Sequence, residues 1–434
     1  MHCQQVKGKK RVKIGIITKK GKRRDEKKTM EYTEMADREV KSAKFLEAGR
    51  KKQSDFTRKR KLPFWKICVF LIGIVHECLS VAFRRFGEKI GEETRISEQA
   101  LSEARNKIKW EAFGGLSEKI SSFAYTGSYD RWKGYRIWAA DGTKFALPNY
   151  PELAELWGNE KGSPMARGSI LYDVLNYTVF DGQIEPLKID ERTLAKRHLT
   201  ALCERIGESK DKELVIFDRG YPSEDMIDFC EKNGLFYVMR VKSKFNLAVD
   251  SQKGNDGYVQ IGRHKVRVVK VVLDTGEVET LLTNLTGNFN FKELYFMRWG
   301  VEKEYDVLKN TLEIENFSGR TETAIRQDFH IHIIASNMLA ASFWEAQEIV
   351  DKERNSDDSN KYVYVVNAAQ AAAAMRDYLI LAVLASSPRK RSAIFKKMHR
   401  VMADAVIPVR PDRIVLRKKH NRKSKFHLNS KPNL

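Results

Sequence analysis

Five side chains with chemical potential stand close together in Tyr295 to Lys309, which reads Tyr-Phe-Met-Arg-Trp-Gly-Val-Glu-Lys-Glu-Tyr-Asp-Val-Leu-Lys. The stretch sits in a helical pattern from about Phe291 to Leu312. At roughly 100° per residue, Leu294, Met297, Val301, Tyr305, Leu308 and Leu312 form a core-facing stripe. Tyr295, Arg298, Glu302 and Lys309 fall beside that stripe, with Trp299 close by. Arg298 offers a fork for two phosphate oxygens, Lys309 a point charge and Trp299 a stacking surface, while Glu302 supplies a carboxylate. Two further acids end apolar runs. Asp141 closes Tyr-Arg-Ile-Trp-Ala-Ala, where Gly142 is expected to break the strand, and Asp218 follows Leu214 to Phe217, a run of the kind buried on both faces. Acids at the carboxyl ends of central strands sit where open α/β sheets place their sites. Each feature alone has a plainer reading. Arg298 and Glu302 could be an i, i+4 pair on a solvated face, and an Asp shortly before a Gly is more often a turn than a ligand.

The combination is more specific than its parts. Tyr295, Arg298, Glu302 and Lys309 stand at the spacing Y-x2-R-x3-E-x6-K, which resembles the signature helix of bacterial insertion-sequence transposases of the cut-and-paste DDE superfamily. The resemblance implies that Glu302 is the third catalytic carboxylate and that Asp141 and Asp218 are the first two. Such an oxygen-only donor set suits Mg²⁺, with Mn²⁺ as the alternative, and not zinc. It further implies that Tyr295, Arg298 and Lys309 hold the phosphates and bases of the transposon end, and that cleavage passes through a DNA hairpin. The matches run from Asp141 to about Asn337, and more weakly over the amino-terminal region.

An α/β scaffold must carry these residues. After the Asp141 strand, Ser169 to Phe180 and Gln183 to Ile189 flank Asp181-Gly182, a strong hairpin signal. A helical pattern from Glu191 to Ile206 crosses back to the Asp218 strand, and a helix from Ser223 to Lys232 and a strand from Phe236 to Val241 follow. This succession describes a ribonuclease-H-like catalytic core, the scaffold the resemblance implies. The stretch between Asp218 and Glu302 is too long for a bare helix-strand-helix connection. Its surplus is rich in strand-formers and predicts a β-rich insertion before the signature helix.

The expected organisation is a basic mobile arm over 1–60, a helical DNA-binding domain over 61–130, the core over 131–243 and 287–350, the β insertion over 244–286, and a helical and basic carboxyl-terminal region over 351–434. Within 61–130, Phe64 to Val75 reads as a buried helix, too short to span a membrane. The next helix, capped by Ser97, carries Arg105 and Lys107 near its end as candidate DNA contacts in a helix-turn-helix-like element. His330 and His332, at i, i+2 among apolar residues, read as packing or hydrogen-bonding residues. Arg389-Lys-Arg and the residues beyond read as a basic tail with little core potential.

Composition agrees with a nucleic-acid partner. The 434 residues carry 79 Lys and Arg against 57 Asp and Glu, a formal net charge of +22. That excess favours phosphate-rich partners through counterion release. Five cysteines without CxxC spacing argue for reduced thiols and against a zinc site. The opening Met-His-Cys-Gln-Gln-Val-Lys lacks the apolar core of a signal peptide, so a cytoplasmic, nucleoid-associated protein without a membrane partner is expected. The function expected is a DNA transposase that cuts its element's inverted-repeat ends and joins the 3′ ends to target DNA, acting as a dimer in the DNA complex. A metal-dependent DNA nuclease without strand transfer, or a non-catalytic DNA-binding protein derived from this fold, are the alternatives.

Overall fold

The computed structural model describes residues 28–410, apart from 59–60, 74–78, 93–95, 161, 207–211, 274–275 and 358. Helices α1 (Lys28–Val40), α2 (Ala43–Gly49), α3 (Phe64–Ile72), α4 (Leu79–Ile90), α5 (Glu98–Asn106) and α6 (Glu111–Phe123) come first. Strand β1 (Tyr135–Ala146), helix α7 (Pro151–Trp157), and strands β2 (Asn159–Glu160), β3 (Ser163–Asp173) and β4 (Thr178–Pro186) follow. Next are α8 (Glu191–Ile206), β5 (Lys212–Phe217), α9 (Glu224–Lys232), β6 (Phe236–Val241), α10 (Leu247–Ser251), β7 (Asp256–Ile261), β8 (His264–Val272) and β9 (Val278–Thr283). The chain continues through α11 (Phe291–Phe296), α12 (Trp299–Asp306) and a π-helical turn at Val307–Thr311. It then forms α13 (Glu322–Glu353), β10 (Tyr364–Val366), α14 (Ala368–Val383), α15 (Pro388–Asp404) and β11 (Val406–Pro408).

Nine strands share one sheet in the order β2-β3-β1-β5-β6-β9-β8-β7, with β4 beside β3. At its centre β1, β5 and β6 run parallel. Leu214, Val215, Ile216 and Phe217 of β5 are all fully buried, as a central parallel strand requires. The strand-rich stretch before the signature helix does form strands, but it extends the main sheet: β9 pairs antiparallel with β6, and β8 and β7 continue from it.

The turn between β3 and β4 lies at Val174–Tyr177, while Asp181-Gly182 stands inside β4 with Gly182 opposite Ile170. Local hydrogen bonding explains the difference. Asp173 Oδ1 accepts from the Leu175 and Asn176 amides at 3.0 Å each, and its Oδ2 accepts from Asn176 Nδ2 at 2.9 Å. This Asx arrangement closes the loop without a glycine. Asp181, for its part, is held by a buried histidine.

The chain divides into two compact units: one contains Tyr129–Lys144 and Ala166–Asp306, the other the described residues up to Ser128, Phe145–Met165 and those from Val307 on. The core of the second is helical. α13, with His330 stacked on Trp110 and His332 bonded to the Asp328 and Leu312 carbonyls, packs against α1, α6, α14 and α15. Three expectations change here. Residues from Lys28 on, assigned to the mobile arm, form α1 and α2, whose Tyr32, Ala36, Val40 and Phe45 are buried. Residues 1–27 lie outside the described residues, as does the tail beyond 410. Pro388 onward forms α15, which buries Phe395, Met398 and Met402 at i, i+3 and i+7, an amphipathic pattern hidden among its basic residues.

Arg105 is the third correction. It is buried, not on an outer face: Nε donates to Gln327 Oε1 at 2.8 Å, Nη1 to Ser318 Oγ at 2.7 Å, and Nη2 to the Ala324 carbonyl at 3.0 Å and Asp328 Oδ1 at 2.9 Å. It therefore fixes α5 to the start of α13, whereas Lys107 at the C-cap is exposed. Removing one partner of a buried ion pair leaves the other uncompensated. Arg105→Ala is expected to lower stability by about 3–5 kcal/mol in urea unfolding, and Lys107→Ala to stay within about 0.5 kcal/mol.

Candidate active site

β1 does not stop at Asp141. Gly142 lies within the strand, which runs on to Ala146, and a Cβ on Gly142 would stand 2.9 Å from Glu191 Cγ. The glycine permits close approach of Glu191 at the start of α8. The first two acids are set by strand register. Ala139 stands opposite Ile216 in the parallel β1–β5 pair, and two further residues set Asp141 opposite Asp218. The site thus opens at the carboxyl end of the central strands, where side chains leave the sheet.

The third acid comes from α12. The helical pattern is interrupted: α11 ends at Phe296, α12 begins at Trp299, and the π-helical turn at Val307–Thr311 widens the spiral. One wheel at constant pitch does not hold across those breaks. Tyr295 and Arg298 are consequently buried, at 6% and 5% exposure. Tyr295 Oη donates to Asp218 Oδ1 at 3.1 Å. Arg298 pairs with Glu302 through Nη2, and its Nη1 lies 4.0 Å from Asp141 Oδ2. One guanidinium thus stands between the first and third acids. Trp299 is 48% exposed. Lys309 falls in the second unit, where its ammonium lies 5.0 Å from the centroid of the Phe145 ring.

Electrostatics separates the two aspartates. Burial pushes the Asp141 carboxyl up to about 6, against the pull of Arg298 and the Gly142 amide, with Glu191 and Asp218 adding repulsion. Burial also acts on Asp218, but the Arg219 amide, Arg298 and the Tyr295 hydroxyl hold it below its ordinary value. Two residues emerge here that sequence patterns did not single out for the site. Glu191 adjoins Gly142 and Gly220 and pairs with Arg167 at 2.6 Å. Tyr305, counted only in the apolar stripe, donates its hydroxyl to the Asp141 carbonyl at 2.7 Å. Its position one turn after Glu302 was the available signal.

The donor chemistry fits a hard divalent cation: Asp141, Asp218 and Glu302 offer oxygens only. Two buried polar atoms nearby, Tyr221 Oη and Arg298 Nε, lack a hydrogen-bond partner, and orphans of this kind mark a site whose polar groups await further partners. As the side chains stand, no group of three His, Cys, Asp or Glu among the described residues is close enough to hold one ion. Arg298 supplies the compensating charge.

Comparison with known proteins points to the same chemistry. The model of the transposase DDE domain matches residues 132–338. The putative transposase InsZ of Escherichia coli (strain K12) is 22% identical over 189 residues, which cover 41% of this chain and 60% of that protein. The transposase for insertion sequence element IS231E of Bacillus thuringiensis subsp. finitimus is 24% identical over 208 residues, 46% of this chain and 42% of its own length. The chain thus spans less than two thirds of either relative. Among solved structures, the piggyBac transposase synaptic complex with hairpin DNA aligns over 87% of this chain and 84% of its own, at 9% identity and a TM-score of 0.45. The central stretch is thus similar to the transposase DDE domain, and the two relatives are both named as transposases. Among the described residues no helix is long and apolar enough to cross a membrane.

A raised carboxyl at this site has a measurable effect. An acid whose folded value exceeds its unfolded one stabilises the fold fully below about pH 4 and loses that contribution as pH rises through about 6. At pH 7.5 the ionised Asp141 is therefore a liability. Asp141→Asn is expected to raise stability by about 1–3 kcal/mol at pH 7.5 in EDTA, with the gain fading below pH 5 in thermal melts.

Proposed function

We propose that this protein is a DNA transposase that cleaves at the ends of its own element and transfers the freed 3′ ends to target DNA. The observation that carries this reading is the convergence of Asp141, Asp218 and Glu302 on the buried Arg298 at the carboxyl end of the parallel strands. The antiparallel β3–β4 pair followed by α8 and parallel β1, β5 and β6 supports reading the core as ribonuclease-H-like. Residues 244–286 would then be an insertion that lengthens its sheet.

Asp141, Asp218 and Glu302 would hold divalent ions, Mg²⁺ by preference and Mn²⁺ as a substitute. Such ions, when bound, activate the attacking oxygen and stabilise the leaving oxygen of an in-line displacement at phosphorus. The protein's own groups position the DNA. Arg298 can turn its fork from the acids to a phosphate flanking the scissile bond. Tyr295 orients the Asp218 carboxylate through its hydroxyl. Lys309 offers a point charge to a neighbouring phosphate. The basic surplus of the chain binds both the inverted-repeat ends and the target by counterion release, and a dimer would hold two ends together. The setting would be the cytoplasm, at the nucleoid.

Trp299 suits the second strand. A hairpin end closes tightly only if a base near its tip leaves the stack, at a cost of a few kcal/mol, and an aromatic surface offsets that cost. The exposed indole next to Arg298 supports this role.

Asp141→Ala, Asp218→Ala and Glu302→Ala are each expected to lower Mg²⁺-dependent cutting of an end-labelled repeat by about 10³-fold or more, roughly 4 kcal/mol of barrier. Band shifts should remain near wild type. Normal cutting by any one of them would remove that residue from the site. Trp299→Ala should nick the first strand yet stall before a hairpin on a denaturing time course. Wild-type release with no hairpin species would exclude this route, and full release by the variant would leave Trp299 a surface residue.

A further inference from the structure

Beneath Asp141 lies a buried polar chain that the proposed chemistry does not use. Ser169 on β3 donates its hydroxyl proton to the Asp141 carbonyl at 3.1 Å. His198 on α8 places Nε2 2.9 Å from Ser169 Oγ and Nδ1 2.5 Å from Asp181 Oδ2 on β4. Gln183 Nε2 adds a bond to the same Asp181 oxygen at 3.2 Å, and Arg205 Nη1 lies 3.9 Å from the other oxygen. Ser169 is 1% exposed and His198 fully buried.

Asp, His and Ser in a row invite comparison with a nucleophilic triad, but proton directions argue otherwise. A carbonyl only accepts, so the single Ser169 proton is committed to Asp141. His198 Nε2 must then donate to Ser169 and Nδ1 to Asp181. The Nδ1–H is thus anchored on Asp181, while the Nε2–H and the Ser169 hydroxyl point in turn toward Asp141, and no substrate can reach the buried Ser169. The Asp141 carbonyl accepts a second bond from Tyr305 on α12, one helical turn beyond Glu302. A single peptide oxygen is therefore the joint at which β3 and the signature helix are fastened to the first acid. Buried polar networks with every member satisfied rigidify what they touch.

We infer that Asp181, His198 and Ser169 form a positioning relay that, together with Tyr305, aims the Asp141 carboxylate and sets its spacing from Glu302. The inference rests on the reading of Asp141 as a metal ligand. Partners that orient metal ligands typically govern metal affinity or activity by about 10–100-fold.

The test is Mn²⁺ affinity of the full-length protein, measured by isothermal titration without DNA, alongside end-DNA binding and cleavage. Ser169→Ala and Tyr305→Phe each remove one hydroxyl. Each should weaken Mn²⁺ binding by about tenfold or more and slow cleavage while leaving the band shift unchanged. Their effects should also couple, because both act on one oxygen. His198→Gln should resemble Ser169→Ala; should it fail to fold, the two hydroxyl variants decide alone. Unchanged Mn²⁺ affinity in both folded hydroxyl variants, or additive losses in the double variant, would overturn the relay. Asp141→Asn is the control that separates the two readings. If it too leaves Mn²⁺ binding intact, the assignment of Asp141 as a ligand fails. If it abolishes binding and the hydroxyl variants do not affect it, only the relay fails.

Discussion

Carboxylates brought together on a half-buried surface repel one another, and most of the candidate site's architecture answers that repulsion. Register sets Asp141 opposite Asp218 with no choice of rotamer able to separate their backbones. The compensating charge is Arg298, buried beside Tyr295 and shared between Asp141 and Glu302. A guanidinium suits the position because it stays charged when desolvated and reaches two oxygens at once. Asp218 is further held by the Arg219 amide and a phenol, so the two aspartates have unequal appetites for protons. One fold thereby holds a readily ionised acid next to a reluctant one.

The break between α11 and α12 belongs to the same solution. An uninterrupted helix would keep Tyr295, Arg298 and Glu302 on one smooth face. Interrupting it at Met297 lets the tyrosine reach Asp218 while the arginine reaches Asp141 and Glu302. Gly300 lies against Tyr172 and Val174, where a Cβ would stand 3.4 Å from each, and so seats the second helix closely on the β3 end of the sheet.

Much of this was legible in residue order. Leu214 to Phe217 read as a central strand and Glu191 to Ile206 carried a periodic apolar face, so α8 appeared with the expected bounds and β5 with two residues more at its start. Asp218 does follow the buried β5 run, and the spacing of Arg298 and Glu302 foretold their pairing, whereas Asp141 lies inside β1 and not at its end. Other readings failed for physical reasons. Asp181-Gly182 has the form of a hairpin turn, but a buried histidine fixes Asp181 within a strand, while Asp173 and Asn176 build the turn from side-chain hydrogen bonds. Arg105 looked like a surface charge because its partners lie more than two hundred residues away. α15 was obscured by charge: its apolar face is narrow, and the basic residues flanking it dominate any average. Tyr305 was read as core because a buried phenol and a buried phenyl give the same periodicity.

The three strands that precede α11 have a mechanical meaning. Without them β6 would be the last strand of the sheet, with a row of open amides one step from the strand that ends at Asp218. Exposed edges fray, and they invite foreign strands to pair. With β9, β8 and β7 added, the margin moves to a short strand whose residues alternate between exposed and sheltered, and which Arg267 ties down through Asp256. A site that gathers acids from separate elements tolerates little drift between them. Placing the strand of the second acid four strands in from that margin makes the sheet itself the rigid bed of the site.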